Sequence, residues 1–564
     1  MGETHEYATA VMRRGRVAME PADFVPDWAD RPRKEKFYPG AERFPLPDGD
    51  FPEDAGVGRG LSGPHGDAPF TLPLLGGMLR DSYGLVGRRL AVQANTDLGT
   101  LPMYTQANWS RGTASGGGLY PVGVHWVSGP SGPLTPGVHH YSPQHHAVQR
   151  LLTGDVTGEV RAAVGDAGLH RDADQFLVLG VKFWQNAFKY NSFSYHVVTM
   201  DLGALLQTWS MWARARGLRI DPVLWFDEPR LGRLLGADAD DEGVFAVVPL
   251  RWEGAVPAQG TAPAASRTSG VRTSGVRHRE QERSRRVIAF DTVRTVHRAT
   301  TAHAAERPSP GALESAAAPA VPAGGERVPL PPAAPMDLSV RRALRSRRSS
   351  FGRFTGLRPL SAAHLTAALR AAAAGTELTT DATPPGGPRL ASLYVFVNHV
   401  EGVPRGTYAF DPATDELRLI KQGAPGPFLQ AHYFLNNYNL EQAAAAIVPA
   451  IRTHQVLDAV GERGYRLVSA AIGAAAQAVY TAAAASDTAC GVALGFDSVA
   501  FAEELGLTGT GELPLLLMLV GNERPRPADF HYDLAPSPVP SPPRRTPEGI
   551  AEETPEEIQE DEDR

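Results

Sequence analysis

A single cysteine, Cys490, is present, which excludes an internal disulfide, a Cys-x-x-Cys redox pair and a cysteine-based metal site. Any redox chemistry must therefore come from a bound organic cofactor. No run of eighteen apolar residues occurs, and the opening MGETHEYATAVMRRGRVAMEP lacks the apolar stretch of a secretory signal. The chain is accordingly expected in the cytoplasm, without a membrane span. Charge of one sign is also scarce outside the end of the chain. The formal net charge is -7, but residues 548–564 hold nine acids against one Arg, leaving the remainder at +1. A nearly neutral body gives no general electrostatic case for nucleic acid or an anionic membrane, and the tail reads as a solvated, disordered end.

What the sequence does have is length and similarity to itself. At 564 residues, 42% hydrophobic and 21% charged, it is expected to hold at least two globular domains. Tyr195, Val198, Gly203 and Gln207 form the pattern Y-x2-V-x4-G-x3-Q, which returns as Tyr465, Val468, Gly473 and Gln477, an offset of 270. Phe226-Asp227 with Leu235-Gly236 returns at the same offset as Phe496-Asp497 with Leu505-Gly506. Upstream, Ser115-Gly116-Gly117 before the apolar run 122–127 is matched by Pro385-Gly386-Gly387 before 393–397. Gly137, Tyr141 and Pro143 are matched by Gly406, Phe410 and Pro412. A common order and spacing points to duplication.

The expected organisation is an N-terminal extension (1–54), a first domain (55–254), a flexible Ala/Pro/Arg-rich linker (255–334), a second domain (335–530) and a disordered Pro-rich and acidic tail (531–564). Within the linker, residues 286–290 are apolar enough for a short strand. The runs 122–127 and 393–397 suit strands, while 197–216, ended by Gly217, and 467–485 suit long buried helices. Each half is thus expected to be α+β, with a central helix pressed on a sheet.

Three motifs carry chemistry. Residues 345–353, RSRRSSFGR, concentrate guanidinium groups and hydroxyls. Ser115-Gly116-Gly117-Gly118 supplies a hydroxyl and a loop with no side chains to obstruct a planar ring. Lys189-Tyr190-Asn191-Ser192-Phe193-Ser194-Tyr195-His196 sets a Lys-Tyr pair just before the first central helix. His139-His140 and His145-His146 read as strand and turn residues, Trp209 and Trp212 as core. Asn436-Asn437-Tyr438-Asn439 suits either a polar loop or a substrate groove.

The run RRSSFGRFTGLRPLSAAHLTAAL from Arg347 resembles the opening of a nitroreductase-fold domain, whose R-R-S element binds a flavin phosphate and ribityl chain. RGTASGGGLYPVGVHWV from Arg111 resembles the R-x-x-P-S-G-G-x-x-P segment of SagB-type, McbC-like azoline dehydrogenases. DRPRKEKFYPGAERFPLP from Asp30 is similar to that family's leading segment. The family's K-Y-G-x-R-x-Y-R element keeps Lys189 and Tyr190 here but loses its Gly and both Arg. In the second half Gly461, Arg463, Tyr465 and Arg466 are kept and the Lys-Tyr pair is lost. Pro384-Pro385 stands where Pro-Ser is usual, and Phe351 where many relatives carry Arg.

The resemblance implies two tandem nitroreductase-like domains packed as a pseudo-dimer, with one FMN in a composite site at their interface. Arg347, Arg348, Ser349, Ser115, Gly116 and Gly117 would contact FMN, meeting the flavin's need for cations, hydroxyls and close backbone approach. Tyr190 would be the base and Lys189 its activator, or an alternative base, since a neighbouring ammonium favours a phenolate. No metal is implied. The expected reaction is oxidation of thiazolines or oxazolines in a ribosomally made precursor peptide, beside the cyclodehydratase that forms the rings. The alternatives are an NAD(P)H-dependent reductase of nitroaromatics and quinones, and a flavin-free scaffold for a peptide or synthetase. Pairing of whole chains into a homodimer is left open.

Overall fold

The computed structural model describes residues 2–90, 107–165, 172–255, 275–322, 324–350, 352–435, 437–524 and 531–534. The acidic tail, most of the first Ala/Pro-rich stretch, Phe351 and Asn436 lie outside these residues. Met1–Leu534 form one compact unit.

The chain opens with α1 (Glu3–Arg13), the edge strand β1 (Arg43–Pro45), α2 (Val57–Ser62) and α3 (Leu72–Ser82). Strands β2 (Gly87–Leu90) and β3 (Ala107–Ser110) then lead to β4 (Val122–Ser128), β5 (Gly137–Ser142), β6 (Ala147–Thr153), α4 (Thr157–Val164) and β7 (Gln175–Lys182). Next come α5 (Trp184–Tyr190), the long α6 (Ser194–Ala215), α7 (Glu228–Leu235) and β8 (Glu242–Pro249). After the joining segment follow α8 (Asp291–Ala302), β9 (Arg327–Pro329), α9 (Val340–Ser346), β10 (Leu360–Ser361), α10 (Ala362–Thr376), β11 (Ala391–Val397) and β12 (Val400–Glu401). The remainder is β13 (Gly406–Asp411), β14 (Glu416–Gln422), α11 (Gly426–Ala431), β15 (Ala445–Ile451), α12 (Thr453–Val460), α13 (Gly464–Ala485), β16 (Ala489–Ala493), α14 (Ser498–Glu504), β17 (Leu513–Pro514), β18 (Leu517–Gly521) and β19 (His531–Asp533).

Two antiparallel sheets share an order of six strands, which the second extends by β16 and by β17 beside β15. The first is β1-β6-β5-β4-β7-β8; the second, from its far edge, is β9-β14-β13-β11-β15-β18-β16. Even the register irregularity recurs, at Val138/His139 between β5 and β6 and at Thr407/Tyr408 between β13 and β14. Both sheets are covered on both faces, so their strands read as continuous apolar runs. In β7, Leu177, Leu179 and Val181 face the central core while Phe176 and Val178 pack outward with α4 and α7. In β11, Leu393, Val395 and Val397 face the same core, while Tyr394 and Phe396 pack outward with Phe501 of α14.

That central core is built on α6 and α13, each of 22 residues. By length and composition α13 could cross a membrane, yet its apolar window is almost wholly buried inside the chain. The two helices meet at their shared glycines. A methyl on Gly203 would lie 1.9 Å from Ala470 O, and one on Gly473 would lie 1.9 Å from Met200 O. Met200 and Gly203 are separated from Ala470 and Gly473 by the repeat offset, so the contact is self-complementary: each glycine meets the counterpart of its own neighbour. The repeated Phe-Asp and Leu-Gly pairs bracket short helices. Asp227 caps α7 and Asp497 caps α14 by accepting from their first backbone N–H groups, and Gly236 and Gly506 end them with φ of 67° and 70°.

The expected linker is largely structured where it is described. Residues 286–290 form no strand; Phe290 instead precedes α8, which buries Val293, Val296, His297 and Thr300 along one face. Leu313 and Ala316 are buried in a short 3-10 turn, and β9 closes the edge of the second sheet beside β14. Only two of the buried side chains of α8 are hydrocarbon, so composition hid a helix that burial of one face stabilises. The order α1 then β1 recurs as α8 then β9, and α1 packs on α8.

Candidate active site

The Ser-Gly loop follows β3 and turns back over the N-terminal half of α6. Gly117 and Gly118 take φ of +63° and +65°, which glycine adopts without steric cost. Asp201 of α6 holds this turn with both carboxylate oxygens. Ser115 Oγ donates to Oδ2 at 2.6 Å and Gly116 N donates to Oδ1 at 2.7 Å, while Ser115 Oγ accepts from Tyr120 N at 2.8 Å. From the other central helix, Gln477 accepts from Ala114 N at 2.8 Å and donates to Gly112 O at 3.2 Å. The loop is therefore clamped between α6 and α13.

Lys189 and Tyr190 end α5 and stand against this loop. A methyl on Gly117 would come within 2.6 Å of Lys189 Nζ and 2.7 Å of Tyr190 Oη. Asn191, at φ 42° and ψ -132°, makes the sharp exit that lets α5 stop there and α6 begin. Burial pushes the Lys189 ammonium below its usual pKa. Burial, reinforced by Asp201, pushes the Tyr190 phenol above its usual value. Desolvation outweighs any help a neighbouring ammonium gives a phenolate, so the pair favours a neutral phenol and a more readily neutral amine.

The second half reaches the same loop. Arg347 donates from Nε to Gly112 O at 2.8 Å and from Nη2 to Arg111 O at 3.1 Å, and its guanidinium lies 5.1 Å from the centre of the Tyr480 ring. Ser349 Oγ shares a 2.7 Å hydrogen bond with Tyr480 Oη. Two other arginines of the cluster pair elsewhere: Arg345 with buried Asp81, and Arg348 with Glu523. Of the residues proposed from sequence, Ser115, Gly116, Gly117, Lys189 and Tyr190 meet directly. Arg347 joins them through the loop backbone, and Arg348 does not.

Sequence reasoning missed Asp201, Gln477 and Tyr480. Asp201 had a signal: it is an acid within an otherwise apolar stretch of a buried helix. Also missed was the N-terminal extension, which crosses the site. Asn191 Nδ2 and Ser192 Oγ donate to Pro21 O and Glu20 O, and the Trp28 ring lies 5.9 Å from Lys189 Nζ. Lys34 stands 6.0 Å from the Tyr120 ring, its pKa pushed down to about 8 by burial and by Arg111, Arg31 and Lys189.

The counterpart region of the second half has a different character. At the repeat offset, Lys189, Tyr190 and Asp201 correspond to Ala459, Val460 and Ala471. Near its loop, Asp381 accepts from Leu224 N, Trp225 N and Arg307 Nε. Arg463 and Arg466 converge on buried Glu228 of α7. Backbone and ion-pair contacts occupy that region.

The sequence profile of the nitroreductase family matches residues 344–522, so this part of the chain is a nitroreductase-family domain. The matched span holds the Arg347-to-Ser349 element and α13, while the Lys-Tyr pair lies outside it. Among solved structures the chain is similar to a putative nitroreductase from Anabaena variabilis, with 20% identity and a TM-score of 0.66 over 93% of this chain and 100% of that one. This likeness shows a shared fold across nearly the whole length. A putative nitroreductase from Ralstonia eutropha (17% identity, TM-score 0.29, 41% of this chain and 99% of that one) superposes weakly. So does the E. coli microcin synthetase McbBCD complex (21% identity, TM-score 0.23, 26% of this chain and 55% of that one). No curated protein sequence matches the chain.

Proposed function

We propose that the chain is an FMN-dependent dehydrogenase that oxidises thiazolines or oxazolines to thiazoles or oxazoles in a ribosomally synthesised peptide. The observation that carries this reading is the Lys189-Tyr190 pair packed on Gly117, beside a loop held jointly by the two central helices. The two halves act as a pseudo-dimer. The self-complementary glycine crossing of α6 and α13 and the matched strand order support that arrangement.

The residues present suit a phosphorylated flavin. Arg347 brings a guanidinium to the loop backbone, and Ser349 holds a hydroxyl against Tyr480 of α13. Among the described residues, Ser350 Oγ and Arg111 Nη1 are buried without hydrogen-bond partners, so donors remain for a bound anion or carbonyl. Nothing lies within 4 Å of a methyl placed on Gly118, so the backbone there is open to close approach. Bound FMN would supply the hydride acceptor. Aromatising an azoline removes a hydride from one ring carbon and a proton from its neighbour, and the proton falls to the protein. Lys189, biased by burial toward the neutral amine, takes that proton; Tyr190, held as a phenol, orients the ring by donating from Oη.

An azoline peptide incubated with the flavin-loaded chain should lose 2 Da for each ring oxidised. Lys189→Gln and Tyr190→Phe should retain flavin while turnover falls about a hundred- to ten-thousand-fold for the base. Near-normal turnover in Lys189→Gln would remove it from that role. The nitroreductase-family domain at 344–522 favours a second reading, NAD(P)H-dependent reduction of nitroaromatics or quinones. Flavin bleached rapidly by NADPH and left unchanged by azoline peptide would establish that reading instead.

A further inference from the structure

Asp201 takes no part in the chemistry above, yet it is buried in the site and present in only one half. The duplication works as an internal control. Gly203 and Asp227 serve the scaffold and are repeated as Gly473 and Asp497, whereas Asp201 is replaced by Ala471. It therefore segregates with Ser115, Lys189 and Tyr190, whose counterparts are Pro385, Ala459 and Val460. Its two oxygens bind only loop donors in the hydrogen bonds seen, Ser115 Oγ and Gly116 N. Around it stand Tyr83 from the end of α3 and Tyr190 from α5, with Lys189 beside Tyr190 and Arg111 stacked on Tyr83. No ion pair reaches it among the described residues.

We infer that Asp201 is the positioning residue of the flavin-facing loop, and that its protonation sets the direction in which the Ser115 hydroxyl donates. As a carboxylate, Asp201 accepts the Ser115 proton and leaves that hydroxyl nothing to offer a ligand. As an acid, it donates to Ser115 Oγ, which already accepts from Tyr120 N, and the Ser115 hydrogen is released toward whatever is bound against the loop. Gly116 N keeps its acceptor in both states, so the reversal needs no change of loop conformation. Burial, partly offset by the Ser115 and Gly116 hydrogen bonds, pushes the Asp201 carboxyl up to about 7, so both states are accessible near neutrality. A flavin covering the loop desolvates the carboxyl further and favours the acid. Flavin binding should thus take up a proton.

This inference rests on the flavin reading of the site. The test is flavin affinity of the full-length chain against pH, by quenching of flavin fluorescence. FMN is compared with riboflavin, which has no phosphate to titrate. The wild-type chain should bind riboflavin about tenfold more weakly at about pH 8.5 than at about pH 6. Asp201→Asn, a fixed neutral side chain that can still accept from Gly116 and donate to Ser115, should bind as tightly as the wild type at low pH and show no slope. A purely structural Asp201 would instead give uniformly weaker binding in Asp201→Asn with the slope kept, and that result would overturn the inference. So would a flat profile in the wild type with flavin bound. Absence of flavin binding at every pH would overturn the flavin reading along with it.

Discussion

Replacing Glu228 by Gln probes a buried ion-pair network at the join between the halves. Glu228 accepts from Arg463 Nη1 at 2.7 Å, from Arg466 Nη1 at 2.8 Å and from Val244 N at 3.0 Å, and Arg466 is itself fully buried. Burial alone would raise the carboxyl, but Arg466 and Arg463 outweigh it and hold the pKa near about 2 against an ordinary 4.5. That difference corresponds to about 3 kcal/mol of stability at neutral pH, at about 1.4 kcal/mol per pH unit. Removing one partner of a buried ion pair costs about 3 to 5 kcal/mol, and Gln leaves two guanidiniums facing one neutral carbonyl. Glu228→Gln should therefore lose about 3 kcal/mol in urea denaturation followed by tryptophan fluorescence, seen as a lower midpoint at unchanged slope. The pH dependence carries a definite sign. A depressed carboxylate stabilises fully above its unfolded pKa and loses that contribution as pH falls through about 2, so the gap between wild type and variant should stay constant from about pH 8 to about pH 5. Buried His297, pushed down to about 4 chiefly by burial, must be charged on acidification, so stability should fall in both proteins below about pH 6.5. A loss under about 1 kcal/mol, or a gap that closes between about pH 8 and about pH 5, would refute the buried network as a stabilising join.

Gly117→Ala and Gly118→Ala impose the same left-handed strain, but only the first drives a methyl into Lys189 and Tyr190, so turnover should fall at least about tenfold further in Gly117→Ala. Equal losses would show that the pair does not depend on its packing against the loop. Flavin released from the pure chain and quantified against polypeptide should give one FMN per chain, because Pro385, Ala459, Val460 and Ala471 stand at the counterpart positions. A ratio near two would show a second working site.

The long apolar helices and the strand runs could be read from sequence because burial demands a fixed residue period. Residues 197–216 and 467–485 fall on α6 and α13, and 122–127 and 393–397 fall on β4 and β11. The glycines at 116–118 and the Lys-Tyr pair were visible because each is a local run of unusual chemistry. Helix α8 was not, since its burial comes from one sparse face of a polar segment. Nor was the turning away of Arg345 and Arg348. A guanidinium can pair with any carboxylate the fold brings near, and Asp81 and Glu523 lie far from them in sequence.

By itself the sequence determined the duplicated order of elements, the recurrence of Phe226-Asp227 as Phe496-Asp497, and the absence of Lys, Tyr and Ser from the counterpart positions of one half. These depend on residues near one another in the chain or on a constant offset between two stretches of it. Tertiary structure alone decided that Gly203 and Gly473 let the central helices cross at contact distance, which brings Gln477 onto the loop that carries Ser115. It also decided the protonation tendencies of Lys189, Tyr190 and Asp201. Those follow from how much water burial removes around each group, and desolvation is a property of the packed neighbourhood that no spacing of letters records.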